Sequence, residues 1–367
     1  MSSSFYMPVK MLIGNDIILE NKDLFKSFGK NALIVTGKNS AKLSGALDDV
    51  LNVLNQNDIK YSIFDKIMPN PTVDVVYLGA CNAKENNSDF IIAIGGGSVM
   101  DAAKVISSLA LSDIKKDDVF NNSLHNKTMP MIFIPTTAGT GSEVTPYAIL
   151  TDDANETKTS ISNPSFYPKV AFIDGKYTNK LSKNITVNTA LDALSHAIES
   201  LLSKRCTDIS SLYANEAIRL IGKELDNLIN FNLNQDSRNN LLYASSLAGI
   251  AISMTSTVIV HVMGYPLTYF KNIDHGRANG LLLAEFLKQV NKTYDYMVNN
   301  ILKLLKLDNL LVFEEKMDKL LGEKEKITKE EILKYSNNSL KKKNVKNTII
   351  DISLDDIKEM YYNVFMR

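Results

Sequence analysis

The sequence predicts an α/β first half built around a parallel sheet and an all-α second half. Two patterns carry the first prediction: short runs that are apolar throughout, and amphipathic stretches of helical period between them. Strands that do not alternate need cover on both faces, and helices flanking a parallel sheet provide it. A third pattern marks the second half. From about Leu181, long apolar-periodic stretches succeed one another with few strand candidates and few glycines.

Taken in order, residues 32–36 read as a buried strand that ends at Gly37, and residues 40–54, opening on Ser40, carry a helical period. Residues 61–64 give a second strand and 73–84 a second helix. Residues 90–94 form a third strand that runs directly into Gly95-Gly96-Gly97-Ser98, with a helix expected from near Val99. Residues 131–134 are the fourth strand. Residues 171–181 read as the junction, which sets the domains at 1–180 and 181–367. Near the end, Thr328-Lys329-Glu330-Glu331 and Ser353-Leu354-Asp355-Asp356 each open a helical pattern with a capping signal.

Charge excludes some partners. The 41 basic and 41 acidic residues cancel, so no global field draws the chain onto nucleic acid or an anionic membrane. The run Lys341-Lys342-Lys343 stops at Asn344 and reads as solvated surface. The two cysteines, Cys81 and Cys206, lie far apart in no metal-binding spacing, which points to a reducing compartment. Residues 1–8 have no basic start and no apolar stretch of signal length. The longest apolar stretch, residues 250–262, is broken by Ser, Thr and His and is too short to span a bilayer. A cytoplasmic protein is expected.

Three groups of residues point to chemistry. Asp192 and His196 stand four apart in a stretch that reads as helix, so carboxylate and imidazole share one face and suit a single divalent ion. His261 and His275 follow, so three of the chain's four histidines fall in this region. Alone, His261 would read as a core histidine satisfied by one carbonyl, and His275 as a surface residue or helix cap. Conjunction with Asp192 and His196 overturns that account. His125 shares no such context and is expected to be a solvated loop residue.

Gly95-Gly96-Gly97-Ser98 lies between a buried strand and a helix, where glycines admit a close ligand and the helix end offers N–H groups to a pyrophosphate. It is not the G-x-G-x-x-G fingerprint, and it follows the third strand instead of the first. A tight strand-to-helix turn is the bland alternative. The second polar loop, residues 135–143 with Thr136, Thr137, Thr140 and Ser142, again follows a buried strand, where open α/β sheets bind ligands.

Together these motifs resemble the iron-containing (group III) alcohol dehydrogenase family over essentially the whole chain. The resemblance runs through Asn70-Pro71-Thr72, Gly95-Gly96-Gly97-Ser98 with Asp101 and Lys104, residues 135–145, residues 192–199, His261 and Asp274-His275-Gly276. It implies an amino-terminal Rossmann-like dinucleotide-binding domain, a helical metal domain, an active site in the cleft between them, and a homodimer. It also implies Asp192, His196, His261 and His275 as metal ligands. Gly37, Ser40, Asn70, Gly95, Gly96, Gly97, Ser98, Asp101, Thr136, Thr137, Thr140, Ser142 and Lys158 are implied as cofactor contacts, and His261, His275 and Tyr265 as the catalytic set. The implied reaction is reversible hydride transfer between a nicotinamide cofactor and a small primary alcohol or aldehyde, with Fe(II), or alternatively Zn(II), acting as Lewis acid.

Two details refine the match. Family members with an acidic residue after the first strand tend to use NAD. Here the chain reads Thr36-Gly37-Lys38-Asn39-Ser40, with no carboxylate and a nearby cation, which favours NADP(H) over NAD(H). Many members also carry a histidine four residues after the third ligand, thought to relay a proton; this chain has Tyr265. A phenol is a poor base at neutral pH, so Tyr265 either takes part in proton transfer or shapes a pocket with Tyr147 and Ile252. The rival readings are a 3-dehydroquinate synthase-like lyase and a nucleotide-binding relative without catalysis. The first needs several cationic side chains, and residues 251–263 and 187–198 are mostly apolar.

Overall fold

The computed structural model describes residues 4–366. They divide into two compact units: Tyr6–Leu181, and a second that begins at Ser182 and also takes in Ser4 and Phe5.

In chain order the first unit comprises β1 (Lys10–Ile13), α1 (Ile17–Glu20), β2 (Asn31–Gly37), α2 (Ser40–Leu43), α3 (Ala46–Gln56), β3 (Lys60–Ile67), α4 (Val73–Glu85) and β4 (Phe90–Gly95). Then come α5 (Gly97–Leu109), β5 (Met131–Pro135), β6 (Tyr147–Asp152), β7 (Thr157–Ser162) and β8 (Val170–Ile173). Six strands form one parallel sheet in the order β1-β8-β5-β4-β2-β3, and β6 and β7 pair apart as an antiparallel hairpin. The alternation missing from the hydropathy pattern survives as a division between two cores. Leu33, Val35, Ile91, Ala93, Met131 and Phe133 face α4 and α5 on one side. Ala32, Ile34, Ile92, Ile94, Ile132 and Ile134 face Phe25, Val50 and Val53 on the other. Period 2 is obeyed, but both faces are apolar, so it does not show.

The chain runs outward from β2 to β3, then crosses to β4 on the other side of β2. The sheet therefore has its topological switch point between β2 and β4, and open α/β sheets bind ligands outside the carboxyl ends at such a point. Gly37 ends β2 and Gly95 ends β4, which explains why the glycine run does not follow the first strand.

Several sequence expectations need correction. The strand before the glycines is the fourth in the chain, because β1 precedes the one read as first. Residues 171–173, read as junction, belong to β8, which pairs with both β1 and β5. At four residues each, β1 and β8 are too short to show a pattern. The helix expected over 40–54 is two helices, broken where Gly45 takes φ 83°. The helix expected from Val99 begins two residues earlier, at Gly97.

The second unit holds α6 (Lys183–Leu201), α7 (Asp208–Asn230), α8 (Gln235–Thr255), α9 (Ile259–Lys271) and α10 (His275–Asn291). It continues with α11 (Asp295–Leu305), α12 (Leu310–Leu321), α13 (Lys329–Leu340) and α14 (Leu354–Phe365). Both predicted capping boxes form, at Thr328 with Glu331 and at Ser353 with Asp356. Helix α6 packs against α7, α8 and α10 and is buried almost all round, as a core helix must be when its neighbours cover every face. Helices α8 and α9 meet at 109°, with Ser256 at φ 59° in the break. Pro266 inside α9 removes the N–H that would bond the Val262 carbonyl, and Ser339 Oγ donates to that oxygen at 3.4 Å. No single helix among the described residues is long and apolar enough to cross a membrane.

Candidate metal centre and nucleotide loops

In the second unit, α6 presents Asp192, His196 and Glu199 on one face, at spacings of four and three. Helix α9 brings His261 and the first residue of α10 is His275. Donor atoms of Asp192, His261 and His275 all lie within 4.8 Å of one another. His261 Nε2 stands 3.5 Å and His275 Nε2 3.9 Å from Asp192 Oδ1. His196 is beside them, its ring stacked on that of His261 with centroids 4.5 Å apart, but it is not one of the three whose donors converge. Tyr265 stacks nearly parallel on His275 at 5.8 Å.

The donor set suits a divalent ion. His261 Nε2 is buried and has no hydrogen-bond partner, which is costly unless another group engages that nitrogen. One carboxylate and imidazole nitrogens form the mixed hard and borderline set that Fe(II) and Zn(II) accept. Burial alone would raise the Asp192 pKa, yet His196, His275 and His261 outweigh it and hold the carboxyl well below the usual range. For His261, burial disfavours charge, but Glu199 and Asp192 prevail and raise it to about 9.

The positions of these groups follow from close backbone contacts. At Gly276, a Cβ would meet the Asn188 carbonyl oxygen at 1.9 Å and Asp192 Cβ at 2.9 Å, so only glycine lets α10 begin this close to α6. Asn188 Nδ2 donates to Asp274 Oδ2 at 2.8 Å, fastening the same junction. Asn279, one turn along α10, donates to Asp192 Oδ1 at 2.9 Å.

In the first unit, α5 begins at Gly97 with Gly96 as N-cap and no side-chain cap, leaving first-turn N–H groups free of side-chain capping. The glycines also let the second polar loop approach: a Cβ on Gly96 would meet Thr137 Oγ1 at 2.8 Å, and one on Gly97 would meet Thr140 Cγ2 at 2.6 Å. The two loops read separately in the sequence are thus packed together. Thr136 Oγ1 is buried without a partner. Asn70, at φ 58°, donates its backbone N–H to Ser98 Oγ at 3.4 Å, and Thr151 Oγ1 donates to its carbonyl at 2.8 Å. Gly37 and Ser40 lie together at the end of β2, with Lys38 and Asn39 exposed between them. Lys158 sits on β7 opposite Thr151.

Asp101 and Ser142 are engaged with each other. Ser142 Oγ donates to Asp101 Oδ1 at 2.5 Å, and Lys104 Nζ donates to Ser142 Oγ at 2.7 Å and to the Tyr147 carbonyl at 2.6 Å. Lys104 is fully buried, and desolvation, only partly offset by Asp101 and Glu143, pushes it down to about 8. This cluster ties α5 to the second polar loop and to β6. His125 is a correction. It is fully buried, with Nδ1 3.0 Å from Ser108 Oγ and Nε2 2.7 Å from the Val119 carbonyl, and burial lowers its pKa. Nothing in the polar run 121–127 signals this, because its partners lie earlier in the chain, Ser108 on α5 and Val119 in the stretch just before the run.

Residues 8–175 match the family model for iron-containing alcohol dehydrogenase, and residues 186–365 match the carboxyl-terminal model of the same family. The chain belongs to that family. It is an alcohol dehydrogenase-type oxidoreductase with a nicotinamide-dinucleotide-binding fold. An NADPH-dependent butanol dehydrogenase of Clostridium saccharobutylicum is 32% identical over 79% of this chain and 74% of its own. An NAD-dependent methanol dehydrogenase of Bacillus methanolicus is 31% identical over 76% of this chain and 74% of its own. The crystal structure of an iron-containing alcohol dehydrogenase from Thermotoga maritima superposes with a TM-score of 0.92 at 35% identity, covering 100% of both chains.

Glu199, Gly276 and Asn279 were not singled out from the sequence as parts of the centre. A signal for Glu199 was present, since it follows Asp192 by seven residues and so shares its helical face. Gly276 and Asn279 depend on the approach of α10 to α6, which no local pattern encodes.

Proposed function

We propose that the chain catalyses reversible hydride transfer between NADP(H) and a small primary alcohol or its aldehyde, with a divalent iron held by Asp192, His196, His261 and His275. The observation that carries this reading is the convergence of Asp192, His261 and His275, with a buried, unpartnered Nε2 on His261. When bound, the ion would supply Lewis acidity toward the substrate oxygen, and the nicotinamide the hydride acceptor or donor. His196, whose ring stacks on that of His261, would complete the set.

The chain's own groups do the rest. Backbone N–H groups at Gly96, Gly97 and Ser98, at the start of α5, would donate to a pyrophosphate. Gly37 and Ser40, together at the end of β2, would leave room for a ribose, and Asn70, which donates to Ser98 Oγ, would shape the loop beside the pyrophosphate. Thr136, Thr137, Thr140 and Lys158 would fix the ribose and nicotinamide. Asp101 and Ser142 act through loop geometry, because their polar atoms already bond each other and Lys104. NADP(H) is favoured because the end of β2 runs through Thr36-Gly37-Lys38-Asn39-Ser40, which offers an exposed cation and no carboxylate to repel a 2′-phosphate. Tyr265 forms a wall against His275.

The test is a dehydrogenase panel with Fe(II)- or Zn(II)-reconstituted protein, butanal and butanol, and both cofactors. Turnover with NADPH exceeding that with NADH is expected. A preference for NADH refutes the cofactor assignment, and absence of turnover with any short alcohol or aldehyde refutes the reaction.

A further inference from the structure

Glu199 is buried to 0% exposure in the last turn of α6, and charged residues are almost never buried so completely unless paired. Both its oxygens are engaged by the segment that carries His261. Oε1 accepts the backbone N–H of Val258 at 3.0 Å and that of His261 at 3.2 Å, which caps the first turn of α9. Oε2 meets His261 Nδ1 directly. A carboxylate only accepts, so the proton of a neutral His261 ring must lie on Nδ1 and the lone pair on Nε2. It is Nε2 that points to Asp192.

We propose that Glu199 is a positioning residue that fixes the tautomer and orientation of His261, so that the metal-binding nitrogen is the one facing Asp192. The inference rests on the metal reading above. It joins two functions in one side chain: the carboxylate that orders the start of α9 also decides which histidine nitrogen is offered. Outer partners of this kind typically change metal affinity 10–100-fold.

Glu199→Gln separates the two functions. The two backbone donors require an acceptor at Oε1, so the amide oxygen stays there and the cap survives. The amide nitrogen then faces Nδ1 as a donor, which favours the opposite tautomer with the proton on Nε2. The measurement is Zn(II) affinity by chelator competition for the wild type, Glu199→Gln and His261→Ala, with thermal melts of the metal-free proteins. Expected is a metal-free Tm for Glu199→Gln within a few degrees of wild type and an affinity 10–100-fold lower. Wild-type affinity in Glu199→Gln, with His261→Ala impaired, overturns the role of Glu199. Equal affinity in wild type and His261→Ala overturns the metal reading itself. If Glu199→Gln does not fold, 15N NMR of the Zn(II)-loaded wild type decides. A proton on Nδ1 of His261 supports the proposal and one on Nε2 overturns it.

Discussion

Gly276 lies so close to Asn188 that a Cβ placed on it would stand 1.9 Å from the Asn188 carbonyl oxygen. Two helices distant in sequence meet there, and the meeting is what sets His275 beside Asp192. Gly276→Ala should therefore push α10 away from α6. We expect destabilisation of about 1–3 kcal/mol, the usual range for overpacking, and at least a tenfold loss of Zn(II) affinity. Calorimetric melts and a metal titration check both; unchanged affinity would show that the junction does not set the donors.

Lys104 provides a second prediction. Replacing it with Met leaves Asp101 buried without its cation, a change that costs roughly 3–5 kcal/mol. Chemical denaturation measures it, and a loss below about 1 kcal/mol would mean that the cluster does not brace the loop.

The same lysine makes a prediction about pH. Its folded pKa, about 8, lies below the ordinary value of 10.5. Between those two values the unfolded chain holds more protons than the folded one, so this group makes stability rise with pH across that window. A 15N NMR titration of labelled lysines should find one amine titrating near 8 and lost in Lys104→Met. Titration of Lys104 near 10.5 would contradict its burial.

How much of this was legible beforehand follows from the range over which each feature is encoded. The strands at residues 32–36, 90–94 and 131–134 were readable because each is a run of apolar residues closed by glycine or proline. The four-residue strands β1 and β8 were not, since they are recruited by neighbours in the sheet. Asp192 and His196 share one helix, so their spacing alone announced them. His125 reads as solvated for the opposite reason: it is buried against Ser108 on α5 and the Val119 carbonyl, neither of which lies in the polar run 121–127. Glu199 fell between these cases, local in spacing to Asp192 but given its task by α9.

His125 also has a pH signature. Its folded pKa is depressed from 6.5 by burial, so below about 6.5 the unfolded state takes up a proton that the folded state resists. Stability from this site is present above that pH and lost on acidification. His125→Phe should flatten the fall of Tm between pH 7 and pH 5. An unchanged slope would mean that this ring does not titrate on unfolding.

Metal binding should itself stabilise the fold, because three helices contribute donors and the unfolded chain does not gather them. Free Zn(II) at about 1,000 times Kd adds roughly 4 kcal/mol by mass action. Melts with and without a chelator measure it, and a Tm indifferent to the chelator would count against a shared ion.

The most direct measurement is metal content together with NADPH oxidation for the wild type and His261→Ala after reconstitution. One ion per wild-type chain, with butanal-dependent turnover that vanishes in His261→Ala and on chelation, is the predicted result. Full turnover by protein carrying no metal would contradict the account.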